Sequence, residues 1–253
     1  MRMPKIGTFV WALVAFTTLV AAGPAAASCS LSSFNGIYGV LLSGSNTSGD
    51  LGAGLYQVDL DGSGGLTGTG TESGNGAIQT VTLTGTYTVS GNCTGTVTTK
   101  DQANSVSDFN IVLDNKSSEV ELIRTDPGYT MSGQGFALGV AACGLTGKTA
   151  SFAKRLDGHS IGTSKTPVSV VGRVTLDGKG DASATDTFSE NGVIYTGKLK
   201  GSYIANANCT GSAQFTYKGT TYHFASIATN GGKKLLLLET DTGNVVFGDA
   251  VAQ

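Results

Sequence analysis

The stretch Gly85-Thr-Tyr-Thr-Val-Ser-Gly-Asn-Cys-Thr-Gly95 recurs, altered, as Gly201-Ser-Tyr-Ile-Ala-Asn-Ala-Asn-Cys-Thr-Gly211. Gly, Tyr, Asn, Cys, Thr and Gly keep their places in both copies. A chain duplicated in this way builds one unit twice, so whatever fold it adopts must close within about half its length. Other segments fall into the same frame. Gln57-Val-Asp-Leu-Asp61-Gly62-Ser-Gly64 matches Arg173-Val-Thr-Leu-Asp177-Gly178-Lys-Gly180, and Ser73, Asn75 and Gly76 match Ser189, Asn191 and Gly192. Thr125-Asp126-Pro-Gly128 matches Thr240-Asp241-Thr-Gly243.

Within each copy the apolar residues alternate. In the first, Val81, Leu83, Gly85, Tyr87 and Val89 share one face of a long segment whose other face is mostly Thr. That is the period of a half-buried strand. Asp61-Gly62 stands between two β-prone runs, where Asp and Gly tolerate the positive φ of a tight hairpin. The first strand is expected to begin at Phe34. No stretch after residue 27 sustains a 3.6-residue period with caps, so almost no helix is expected outside the leader. About eight short strands per copy, joined by sequential turns, predict an all-β fold: two tandem antiparallel up-and-down barrels, residues 28–139 and 140–253. Closure also removes exposed sheet edges.

Residues 1–27 read as an export signal. Arg2 and Lys5 precede the apolar run Ile6 to Ala22, and Ala25-Ala26-Ala27 forms a cleavage site before Ser28. The expected location is secreted or periplasmic, with no transmembrane helix in the mature chain. A lipoprotein anchored at Cys29 is the rival reading. Without Arg2 and Lys5 the chain carries 14 basic and 18 acidic residues, a net charge of −4. It shows no basic stripe, which argues against nucleic acid as a partner.

Four cysteines allow three pairings. The duplication favours Cys29 with Cys93 and Cys143 with Cys209, one bridge in each unit. An oxidising compartment lets such bridges form. Each closes a loop worth on the order of 4 kcal/mol in the chain-entropy model.

Several motifs carry candidate chemistry. Gly158-His159-Ser160-Ile161-Gly162 fits G-x-S-x-G and looks like the lipase form of a nucleophile elbow. Ser160 would then need His223 as base and Asp181 or Asp186 to orient it. Thr163-Ser-Lys-Thr-Pro167 follows instead of a helix, and copy one lacks the motif. Asp59-Leu-Asp61-Gly62-Ser63-Gly64 hints at a calcium loop, yet the twelfth position is Gly70 and copy two has Thr175 in place of Asp59. The hairpin reading is preferred, and no metal or cofactor is expected. Asn92-Cys-Thr and Asn208-Cys-Thr match the glycosylation sequon and equally a turn that ends in a bridge.

Inward aromatics supply the candidate ligand-binding set: Tyr38, Tyr87 and Phe109 in copy one, and Tyr203 and Phe224, beside Phe152, in copy two. Eight-stranded barrels either fill with such side chains or hold one small ligand. One strand differs between the copies. Leu235-Leu-Leu-Leu238 stands where copy one has Val120-Glu-Leu-Ile123, which makes outward Leu236 and Leu238 an expected contact with the other barrel or with a second chain.

The combined pattern of Leu-Asp-Gly-x-Gly, Ser-x-Asn-Gly, Gly-x-Tyr leading to Asn-Cys-Thr-Gly, and Thr-Asp-x-Gly resembles exported bacterial tandem β-repeat proteins of uncharacterised activity. Cys143-Gly-Leu-Thr-Gly-Lys148 is similar to the opening of avidin-type barrels within the calycins. The resemblance implies export and a β fold. Avidin-type biotin sites depend on Trp, and Trp11 lies in the leader, so no ligand residue is carried over. The preferred functional reading is a non-enzymatic exported protein that binds a small apolar molecule, a glycan or an envelope component. The alternatives are a structural surface protein that assembles as a homo-oligomer through outer barrel faces, and a serine hydrolase using Ser160.

Overall fold

A computed structural model describes residues 28–114, 116–139, 143, 145 and 147–253. The expected leader, residues 1–27, lies outside the described residues. The chain is all-β. In the first copy the strands are β1 (Gly36–Asn46), β2 (Leu51–Leu60), β3 (Gly65–Gly74), β4 (Ala77–Val89), β5 (Thr94–Asp101), β6 (Val106–Leu113), β7 (Glu119–Arg124) and β8 (Tyr129–Ala137). In the second they are β9 (Ala150–Ile161), β10 (Lys165–Leu176), β11 (Asp181–Glu190), β12 (Val193–Ala205), β13 (Thr210–Tyr217), β14 (Thr220–Thr229), β15 (Lys234–Glu239) and β16 (Asn244–Ala252). Each set pairs antiparallel with its sequence neighbours and closes first strand to last, β1 on β8 and β9 on β16.

The alternation read from β4 is present: Val81 and Tyr87 are buried while Thr82, Thr84, Thr86 and Thr88 are exposed. The copies also repeat their hydrogen bonds. Tyr87 N–H donates to Gly64 O and Tyr203 N–H to Gly180 O, both at 2.8 Å. Cys93 and Cys209 share a left-handed turn, φ 65° and 71°. One expectation needs correction. The first strand begins at Gly36 rather than Phe34, because Ser30 caps a short 3-10 turn at Leu31–Ser33 and the chain crosses the barrel end before it enters the wall.

The bridges are Cys29–Cys93 and Cys143–Cys209. They place the chain in an oxidising, extracytoplasmic environment. No helix among the described residues is long and apolar enough to cross a membrane.

The barrels lie side by side with like ends aligned. At the upper end, Gly243 N–H donates to Gly76 O at 2.8 Å, and the Lys165 ammonium reaches the Gly49 carbonyl. At the lower end, Gln57 Nε2 donates to Asn208 O at 2.5 Å and Gly231 N–H to Leu138 O at 2.9 Å. Between them runs an apolar seam. Leu236 and Leu238, 1% and 0% exposed, join Ile227 and Val245 in one core with Ala53, Leu55 and Phe136 of the first barrel. Gly39 permits this approach. A Cβ there would stand 2.7 Å from a methyl of Thr229 and 2.8 Å from one of Ile227. The four-leucine strand therefore meets the other barrel of the same chain.

Truncating the seam should act like truncating a core. We expect Leu238→Ala to cost about 2–5 kcal/mol. Ile123→Ala, at the exposed matching position of barrel one, should cost under about 0.5 kcal/mol. Urea denaturation of both variants checks this.

Candidate ligand-binding site

The lower end of barrel one is sealed. The segment after Cys29 crosses it and places Phe34 edge-on to Tyr38 (5.0 Å) and Tyr87 (5.5 Å). Tyr87 hydroxyl donates to Phe34 O and accepts from Gly62 N–H, both at 2.8 Å. Tyr38 hydroxyl donates to Ser117 O. Burial, with the carboxylate of Asp114 adding to it, pushes the Tyr38 phenol up to about 12, so it remains a donor across the physiological range. Above this floor lies a cavity of about 450 Å³. Its lower wall is apolar and includes Leu60, Leu66, Leu83, Val97, Phe109 and Ile111.

The upper rim is polar. Tyr56 hydroxyl donates to Glu72 Oε1 at 2.7 Å, and Gln79 Nε2 donates to Glu72 Oε2 at 2.7 Å. Burial first, and then the neighbouring Glu72 charge, raise the Tyr56 phenol well above its usual value. The Tyr56 ring lies flat on the wall because its neighbour across the ladder is Gly70, where a Cβ would come within 2.4 Å of the ring. That posture leaves the lumen open. Arg124 Nε donates to Asp126 Oδ2 at 2.7 Å, and its guanidinium sits 3.6 Å above the Tyr129 ring. Burial works to raise the Asp126 carboxyl, but the Arg124 hydrogen bond and charge and the Asp108 N–H outweigh it and hold it low.

Barrel two carries different residues at the matching register positions. The row Val40–Tyr56–Gly70 becomes Lys154–Gly172–Asp186. The pair Glu72–Gln79 becomes Phe188–Tyr195, and Arg124, opposite Phe109, becomes Glu239, opposite Phe224. Lys154 Nζ meets Asp186 Oδ2 at 2.7 Å with side chains 6% and 1% exposed. Above them Phe188, Tyr195 and Tyr217 stack with centroids 5.0–6.0 Å apart. The lumen shrinks to a space of about 50 Å³ near the bridge. Desolvation raises the Asp186 carboxyl more than Lys154 lowers it, and Asp186 Oδ1 has no hydrogen-bond partner among the described residues.

The residues expected from sequence separate into groups. Tyr38 and Phe109 line the large cavity, whereas Tyr87 lies outside its lining and ties down the floor. Tyr203 and Phe224 border the small space in barrel two and a second, more open hollow lined by residues such as Ile204, Gln214 and His223, and they do not reach the large cavity. Ser160 is not on a nucleophile elbow. It lies inside β9, paired with Thr166 and Asn244 at the upper end. Asp181 opens β11 at the lower end, and Asp186 is held by Lys154. His223 is half exposed on the outer face of β14, with Nδ1 2.7 Å from Asp241 Oδ1. Ser160, His223 and Asp181 thus fail to converge. Asp61 Oδ1 accepts from Ser63 and Gly65 N–H at 2.7 and 2.9 Å, and those backbone donors hold its carboxyl low. The loop is a hairpin closed on its own aspartate. Among the described residues no three His, Cys, Asp or Glu side chains gather to hold a metal.

The mouth residues Tyr56, Glu72, Asp101, Arg124 and Tyr129 were missed by the sequence reading. The available signal was the difference between copies: each inward position at which the two copies disagree marks the lumen. No family model matches the chain, and no curated protein matches it in sequence.

Glu239 offers a check on the filled barrel. It is 4% exposed and accepts from Asn244 Nδ2 at 2.6 Å, and burial pushes its carboxyl from 4.5 up to about 7. The folded state therefore binds this proton more tightly than the unfolded state does. Its contribution is most favourable below about pH 4.5 and is lost as pH rises through about 7. Glu239→Gln should leave stability nearly unchanged at pH 4.5 and raise it by on the order of 3 kcal/mol above pH 7. Denaturant melts across that window give the measurement. Lys154→Met, which strands Asp186, should cost about 3–5 kcal/mol at neutral pH in the same assay.

Proposed function

We propose that this is an exported, non-enzymatic binding protein, secreted or periplasmic, whose first barrel carries one small and largely apolar molecule. The observation behind this reading is the divergence of two copies with the same wall. Barrel two fills its lumen with a buried ion pair and three stacked rings, while barrel one keeps about 450 Å³ clear above an apolar floor. That volume falls in the range of small-molecule sites, which are mostly apolar with a few placed polar groups. Support for export comes from the two bridges and from the composition of residues 1–27. The dispersal of Ser160, His223 and Asp181 removes the support for the hydrolase reading. Burial of Leu236 and Leu238 within the chain leaves that strand unable to drive assembly with a second copy.

Native mass spectrometry of the protein from its exported fraction, set against its denatured and non-reduced mass, tests the proposal. The expected result is an excess mass that leaves on denaturation, with a deficit of about four hydrogens for two bridges. Leu83→Trp, which fills the lumen from β4, should abolish the excess and keep the deficit. The proposal is overturned if the wild-type protein carries no excess and binds no apolar fluorescent probe.

A further inference from the structure

Barrel one's cavity narrows the class of ligand through the charges at its mouth. This step rests on the binding reading above, and the cavity, not the carboxylates, is the site. Three carboxylates line the cavity without an ion-pair partner among the described residues: Asp50, Glu72 and Asp101. Glu72 accepts only from neutral donors, Tyr56 and Gln79. Asp50 accepts from Asn46, and Asp101 from the N–H groups of Ala103 and Ser105. The lining holds one cation, Arg124, and its charge is already met by Asp126. Lys165, bonded to the neutral Gly49 carbonyl, keeps its charge near the rim, one ammonium against the three unpaired carboxylates of the lining.

The field at the mouth is therefore negative, and it lies over a low-dielectric lumen that focuses it. A ligand carboxylate entering there meets like charge, whereas an ammonium gains opposite charge. The rim also shows that it stabilises a positive group. Arg124 rests between a carboxylate and the Tyr129 ring, the surroundings that an organic cation prefers. Below the rim the wall is mostly apolar, with Leu60, Leu66, Leu83, Val97, Phe109 and Ile111, which suits a hydrocarbon tail. We infer that the ligand is a cationic amphiphile: an apolar body seated against Phe109 and Leu60, with a protonated amine held at the mouth between Glu72, Asp101 and Asp50.

The test uses the intact two-barrel protein with both bridges formed. Decylamine, decanol and decanoate, which share one tail, compete against an apolar fluorescent probe at neutral pH and low salt. The expected order is decylamine tightest, with decanoate at least tenfold weaker. The gap should narrow as salt screens the mouth. Glu72→Gln should weaken decylamine about tenfold and leave decanol within twofold, a split that loss of packing would not produce. Asp50→Asn gives a second, smaller shift in the same direction should Glu72→Gln perturb folding. Decanoate binding as tightly as decylamine, or decylamine indifferent to both variants, overturns the charge assignment while the binding reading survives. Failure of all three compounds to displace a bound probe overturns the amphiphile assignment while the binding reading survives; a probe that does not bind, together with no excess mass in the native spectrum, overturns both.

Discussion

Each unit depends on the hydrogen-bonded closure of its first strand on its last. Once β1 pairs with β8 and β9 with β16, the wall satisfies its own backbone polar groups around the whole ring. The wall then asks nothing of the lumen except that side chains alternate. The interior can change, residue by residue, without reopening an edge. The lower bridges reinforce the ring at the point where the chain enters it, beside the crossing segment that carries Phe34 in barrel one.

With the wall secured, the two lumens have diverged. At one level of the ladder, a tyrosine lying on a glycine leaves barrel one open, while a lysine against an aspartate closes barrel two. A buried ion pair is weak evidence for stability, since desolvation consumes much of its Coulomb gain. Its clearer effect here is to occupy space at a depth where barrel one is hollow. The filled barrel also presents to its neighbour the rigid face of Leu236, Leu238 and Val245.

The wall was legible in sequence and the site was not, for one physical reason. Strand alternation, hairpin turns and the half-cystines are demands that the fold makes twice, so Leu83, Asp61 and Cys93 have counterparts in Leu199, Asp177 and Cys209 that announce them. The four-leucine strand was legible because one copy departs from the other on an outward face, where Glu121 faces solvent and Leu236 cannot. The mouth follows the opposite rule. Tyr56, Glu72 and Arg124 are positions that the duplication does not repeat, and a reading built on what the copies share passes over them. The aromatic set was half informative, because inward direction alone does not tell a floor strut such as Tyr87 from a cavity wall such as Phe109. Ser160 shows the converse error: a short motif in a Gly- and Ser-rich chain has no meaning until the backbone around its serine is known, and here Ser160 is a ladder residue near the end of β9, with a β-hairpin and no helix after it.

The alignment of like ends gives the molecule a front and a back. Ser28 and Gln253 both lie at the lower end, together with the two bridges, and Gln253 N–H donates to Ser151 O there. Every rim side chain described for barrel one points the other way. A surface, bead or fusion partner joined to Gln253 would thus hold the protein by its back and leave the opening unobstructed. The two barrels act as a pair of cups on one base, one solid and one hollow, and anything delivered to the hollow one arrives from the side away from the attachment.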